Sequence, residues 1–174
     1  MNEPNPNAPP DRPRRHGYEK VLQAVENRWK RRVVDRGRLM QQIVDLLWEA
    51  FGGGAYSWCG FYLPGPSGGD LVLGACRDKP ACSPIALHGV CGRALGMAAT
   101  QVVPDVQALG EAHIECDPKN RSEIAVPVFG PDGKPFAVLD VDSHAPAAFD
   151  EVDQRWLERI VRVLEGSAGP KADA

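Results

Sequence analysis

The sequence predicts an α+β domain on an antiparallel sheet. Three observations carry that expectation: strands joined in pairs by turn-rich linkers, helical periodicity gathered at the two ends of the chain, and no internal repeat. The chain has 174 residues, 43% hydrophobic and 25% charged, which suits one domain with a core that needs no metal or disulfide staple.

Residues 1–16 are rich in Pro, Asn and Arg, lack apolar periodicity, and read as a disordered arm. A helical pattern then runs from Tyr18 to Phe51, as two helices or one broken helix. Its second part is clearer, with Leu39, Ile43, Leu46, Leu47 and Phe51 on one stripe and Gly52–Gly54 as the stop. "AYSWCGFYL" and "DLVLGAC" form a hairpin around "PGPSGG", followed by a short helix "GVCGRALGM" and a brief strand "TQVV". "PDVQALGEAHIECDPKNR" has neither period and reads as a long ordered loop, of the kind that is usually functional or mobile. "SEIAVPVF" and "PFAVLDVDS" make a second hairpin across "GPDGK". A final helix opens at Asp150, an N-cap with Asp153 three residues on, and carries Val152, Trp156, Ile160, Val163 and Leu164 as its apolar stripe. The expected organisation is a single domain over 17–168 with a flexible tail at 169–174.

The formal net charge of −3 argues against a nucleic-acid partner. The basic run from Arg28 to Arg38 reads as a solvated helix face, without stacking aromatics or a groove-reading motif. No segment is long and apolar enough to span a membrane, and the N-terminus lacks a signal-peptide core, so the expected compartment is the cytoplasm. Five cysteines, an odd number, argue against a structural disulfide framework.

Strand alternation in "FAVLDVDSH" sends Phe136, Val138, Asp140 and Asp142 to one face and Ala137, Leu139 and Val141 to the other. Pairing with "SEIAVPVF" in the register that matches the apolar faces puts Glu123 near Asp142 and small Ala125 opposite Asp140. Three acids would then share one patch. Either a member holds its proton or a cation is supplied from outside, unless the strand ends fray and all three are solvated. The loop spacing of a calcium site is absent.

Cys59 and Cys76 read as small core residues, whereas Cys82, Cys91 and Cys116 fall in loop or turn contexts. Cys91 lies near the start of a short helix, where free amides and the helix dipole favour thiolate. Zinc spacing (paired CxxC or HxxxH) does not occur, and no metal is expected. Cys116 with His113 or His88 could form a Cys–His hydrolase pair. Loop thiols able to meet suggest instead a sulfenic acid on one, resolved to a disulfide by another.

"WCGFYL", "DKPAC", "HGVCG", "VVPDV", "HIECD", "SEIAVPV" and "VLDVDS…FDEVD", in that order, resemble the free methionine-(R)-sulfoxide reductases, which are small GAF proteins. The resemblance runs from about Trp58 to Asp153. It implies a GAF fold with a central antiparallel sheet, helices packed on it and the terminal helices together. It also implies thiol-dependent reduction of free L-methionine (R)-S-oxide. Cys116 matches the catalytic cysteine, Cys82 the resolving cysteine that forms a disulfide with it, and Cys91 the third motif cysteine, which aids recycling. Glu123, Asp140 and Asp142 match the acidic substrate-site residues, and Trp58 and Tyr62 the pocket aromatics. The resemblance further implies no cofactor, thioredoxin as external reductant and a homodimer formed through helices. The sequence departs from the pattern at Glu111 and Ala112, inserted between Gly110 and His113, and in a slightly shorter Cys82–Cys91 segment. The competing expectation is a non-catalytic GAF module that senses a small ligand or redox state. Such a module is normally attached to an output domain and has no need of three loop cysteines.

Overall fold

The computed structural model describes residues 11–29, 35–112 and 114–166. The expected tail at 169–174, His113 and the first ten residues of the expected arm lie outside the described residues. The element order is α1 (Asp11–Trp29), α2 (Arg36–Phe51), β1 (Trp58–Pro64), β2 (Asp70–Arg77), β3 (Ile85–Ala86), α3 (Val90–Met97), β4 (Gln101–Val103), β5 (Ser122–Phe129), β6 (Pro135–Ser143) and α4 (Glu151–Val161). Among the described residues six strands form one sheet in the order β3-β2-β1-β6-β5-β4, and every adjacent pair is antiparallel.

Alternation along the strands sorts two cores. Cys59, Phe61, Ile124, Val126, Val128, Leu139 and Val141 face α1, α2 and α4, whose buried residues include Val25, Leu39, Ile43, Leu47, Leu157 and Ile160. The opposite face carries Trp58, Tyr62, Ala125 and Val138 and packs under α3 through Val90, Cys91 and Ala94. The second hairpin has the expected register, with Glu123 opposite Asp142 and Ala125 opposite Asp140. Asp150 and Asp153 form a capping box at the start of α4, as expected from their spacing.

Four expectations are corrected. Helix α1 begins at Asp11, inside the stretch read as disordered arm. The reason is tertiary: Arg14, 5% exposed, bonds Asp153 at 2.8 Å and Asp150 at 2.9 Å, while the Tyr18 hydroxyl donates to Asp153 at 2.7 Å. Phe136 packs with the helix-covered core rather than beside Val138, because a bulge pairs Val128 with Ala137 but Phe129 with Pro135, leaving Phe136 as the extra residue. Cys76 is half-buried rather than core, at a strand end after a register shift in the β1–β2 pairing. The long loop contains a 3₁₀ turn, Val106–Ala112, broken at Gly110 where φ is 57°. Among the described residues no helix is long and apolar enough to cross a membrane.

Candidate active site

The α3-covered face of the sheet encloses a small cavity of about 40 Å³, and the site is built around it. Its floor is Glu123 from β5 with Asp140 and Asp142 from β6; its walls include Trp58 and Tyr62 from β1 and Cys91 from α3; Ile114, Cys116 and Asn120 close it from the long loop. Two glycines permit this packing. A Cβ on Gly60 would collide with the Trp58 ring that lies across it, and one on Gly92 would run into the Leu87 backbone.

Asp140 is 7% exposed, and burial raises its pKa to about 6. Side-chain hydrogen bonds from Cys91 and Glu123 oppose that rise by favouring its charged form. Burial and the charge of Asp140 push Glu123 well above the usual carboxylate range, and they do the same to Asp142, which also bonds the Asn120 side chain. Charge on Asp140 therefore favours the protonated forms of the two acids beside it. Asp140 Oδ1 is buried and has no hydrogen-bond partner among the described residues. A buried carboxylate oxygen left without a partner is costly, and it marks a place where a donor or cation fits.

Cys91 lies 3% exposed beneath these acids, with Sγ 4.0 Å from Glu123 Oε1. Its thiol is pushed well up, first by burial and then by Asp140 and Glu123. The expected thiolate at a helix start is thus corrected: the local dipole is outweighed by desolvation and two acids. Cys82 and Cys116 are both exposed, and the Cys116 thiol hydrogen-bonds the Cys82 side chain and backbone. Burial, followed by that side-chain bond, raises the Cys116 pKa to about 12. The thiolate fraction of Cys116 should therefore climb about tenfold per pH unit without levelling off near the free-thiol value. Peptide-resolved alkylation from pH 7 to 10 measures this, and a plateau below pH 9 would contradict it.

Two aromatic residues fix the segment that carries Cys82. Trp58 Nε1 donates to the Lys79 carbonyl at 2.7 Å, and the Tyr62 hydroxyl donates to the Cys82 carbonyl at 2.9 Å. Asp117 ties the Cys116 loop to the same segment through Lys79 at 3.3 Å and to the residue just past β6, His144, at 3.4 Å. Sequence reading missed Asn120, which is 6% exposed; Ser57 donates to its Oδ1 at 3.2 Å, and its side chain bonds Asp142. A polar residue inside a loop of no periodicity gave no signal for it. Of the expected site residues, seven line the cavity and Cys82 meets Cys116 at its edge.

Residues 34–165 match the family profile of the GAF domain. The free methionine-R-sulfoxide reductase of Saccharomyces cerevisiae is 39% identical over 127 residues, covering 71% of this chain and 70% of the yeast protein. The Escherichia coli protein of the same description is 36% identical over 110 residues, 63% of this chain and 64% of that protein. A crystal structure of free methionine-R-sulfoxide reductase from Neisseria meningitidis in complex with its substrate superposes with a TM-score of 0.79 at 35% identity, covering 95% of this chain and 94% of that one. The reduced Staphylococcus aureus fRMsr gives a TM-score of 0.75 at 32% identity, covering 95% of this chain and 97% of that one. With its sheet order, its acid-floored cavity and its adjacent thiols already described, the chain belongs to the GAF domain family and, within it, to the free methionine-R-sulfoxide reductases.

Proposed function

We propose that this protein reduces free L-methionine (R)-S-oxide to L-methionine. The observation that carries the reading is the unpartnered Asp140 oxygen in the cavity floor, with the Cys82–Cys116 pair at the edge. A free amino acid brings an ammonium group that a peptide-bound methionine lacks, and the unpartnered Asp140 oxygen matches it. Glu123 hydrogen-bonds Asp140, so Asp142, whose pKa is raised by burial and the Asp140 charge and which Asn120 orients, is the acid for the sulfoxide oxygen. Trp58 and Tyr62 line the cavity wall for the S-methyl end.

In the first step the Cys116 sulfur attacks the sulfoxide sulfur while Asp142 gives its proton to the oxygen, which transfers to leave Cys116 sulfenic acid and the thioether; the proton lost by Cys116 restores Asp142. Cys82 then attacks that sulfenic acid, forming the Cys82–Cys116 disulfide and releasing water. Two electrons and two protons from an external dithiol, thioredoxin, restore both thiols. The enzyme needs no cofactor, and its setting is a homodimer in the cytoplasm. Cys91 sits under the acids, away from an incoming dithiol, so any part it plays in recycling follows an opening of the site.

Methionine formation from the free R and S sulfoxides and from N-acetylated R sulfoxide, with thioredoxin present, tests the reading. Turnover of the free R epimer alone is expected. Equal use of the acetylated compound would remove the role given to Asp140. No turnover of any substrate with reduced thiols would leave a GAF module that only senses.

A further inference from the structure

The sequence holds no zinc-type spacing, yet the fold gathers three metal-ligating side chains from three different elements. Cys91 of α3, Glu123 of β5 and Asp140 of β6 each offer one ligand atom, and these atoms all lie within 4.8 Å of one another. All three residues are buried, at 3%, 7% and 7% exposure. Cys91 Sγ and Glu123 Oε1 are 4.0 Å apart. Zinc-class ions hold thiolate sulfur at about 2.3 Å and carboxylate oxygen at about 2.0–2.2 Å. Two such ligands bound to one ion can be no more than about 4.5 Å apart, and in a tetrahedral site they close to roughly 3.5 Å. The Cys91–Glu123 pair needs about half an ångström of closure, and side-chain movements of up to roughly an ångström bring all three atoms to the corners of a tetrahedron.

A second observation points to a ligand at the same place. Asp140 lines the cavity, and its Oδ1 is buried without a hydrogen-bond partner among the described residues. The adjoining space of about 40 Å³ has room for the water that would fill a fourth position. The ligand set also selects the metal. Magnesium and calcium need an octahedral or larger shell of oxygens, and a thiol in a closed three-ligand corner supplies neither. One thiolate with two carboxylates in a tetrahedral frame suits zinc or cobalt.

We infer that Cys91, Glu123 and Asp140 form a binding site for a zinc-class divalent cation, with water as the fourth ligand. On binding, the Cys91 thiol and the Glu123 carboxyl each release a proton to solvent, leaving one thiolate and two carboxylates on the ion. If the reading of the preceding section holds, the ion and the substrate ammonium compete for Asp140, and the metal-bound protein is a resting form that excludes the amino acid. The site itself does not depend on that reading.

Cobalt(II) titration of the reduced, metal-free protein under anaerobic conditions tests the site without an activity assay. The expected result is intense visible absorption from tetrahedral cobalt with thiolate-to-cobalt charge transfer, saturating at one ion per chain. Cys91→Ser should remove the charge-transfer band, and Glu123→Gln should weaken binding by about tenfold or more while the variant keeps its circular dichroism. The double variant Cys82→Ser/Cys116→Ser should keep the band. A band that survives Cys91→Ser, or that vanishes in the double variant, would place cobalt on other thiols and overturn the inference; so would an octahedral spectrum without charge transfer.

Discussion

Cys116→Ser should lower methionine formation by at least about a thousandfold, in a first turnover as well as in the steady state, because a serine hydroxyl cannot take up the sulfoxide oxygen. The companion variant separates nucleophile from resolver. Cys82→Ser should give about one methionine per chain and then stall, with Cys116 trapped as the sulfenic acid, because the neighbour whose thiol and backbone now meet Cys116 has lost its sulfur. Rapid-quench counting of methionine, with mass spectrometry of the Cys116 peptide, reads both results. A small thiol should restart the stalled protein. Normal cycling of Cys82→Ser with thioredoxin would refute Cys82 as resolver, and full first-turnover activity in Cys116→Ser would refute the nucleophile.

Asp140→Asn should lower kcat/KM for the free sulfoxide by about 30- to 1000-fold, the range for removing a buried charge from a hydrogen-bonded pair, about 2–4 kcal/mol. The loss should be confined to the substrate with a free amine, so selectivity against the N-acetylated compound should collapse. An equal loss on both compounds would show that Asp140 acts on the sulfoxide rather than the ammonium. The same change should stabilise the fold. A buried carboxylate whose folded pKa is raised to about 6 contributes stability below the unfolded value, and that contribution is lost as pH rises through 6. Asparagine has no such loss. The variant should therefore melt above the parent by a margin that widens between pH 5 and pH 7, the usual opposition between a strained site and stability. A margin independent of pH would contradict the raised pKa.

The acid patch was legible because it depends on alternation and register: burying Ile124, Val126, Leu139 and Val141 on one face fixes which side the acids take, and the short turn between the strands selects the pairing that brings Glu123 to Asp142. What could not be read depends on contacts far apart in sequence. Arg14 is an ordinary basic residue in a Pro-rich stretch until Asp150 and Asp153 close on it. Cys91 was read from its own helix, but its proton is governed by two strands. Phe136 changed sides at a bulge that alternation cannot anticipate, and the two-residue strand β3 is too short to leave a period. Asn120 was hidden for the same reason, since only Ser57 and Asp142 give it a purpose.

The acids stand on β5 and β6, and β6 lies between two antiparallel neighbours deep in the sheet, whereas Cys82 and Cys116 ride on exposed connections. Such a division sets two clocks in one molecule. Backbone amides of β6 should exchange with solvent only on global unfolding, while those around Cys116 exchange through small local openings. Inheritance divides along the same line. Drift in the connecting segments can alter how fast the thiols meet or which dithiol reaches them without disturbing what the cavity floor recognises. A single inserted residue in the β5–β6 turn has the opposite effect, since a one-step slip would exchange the acids with the core.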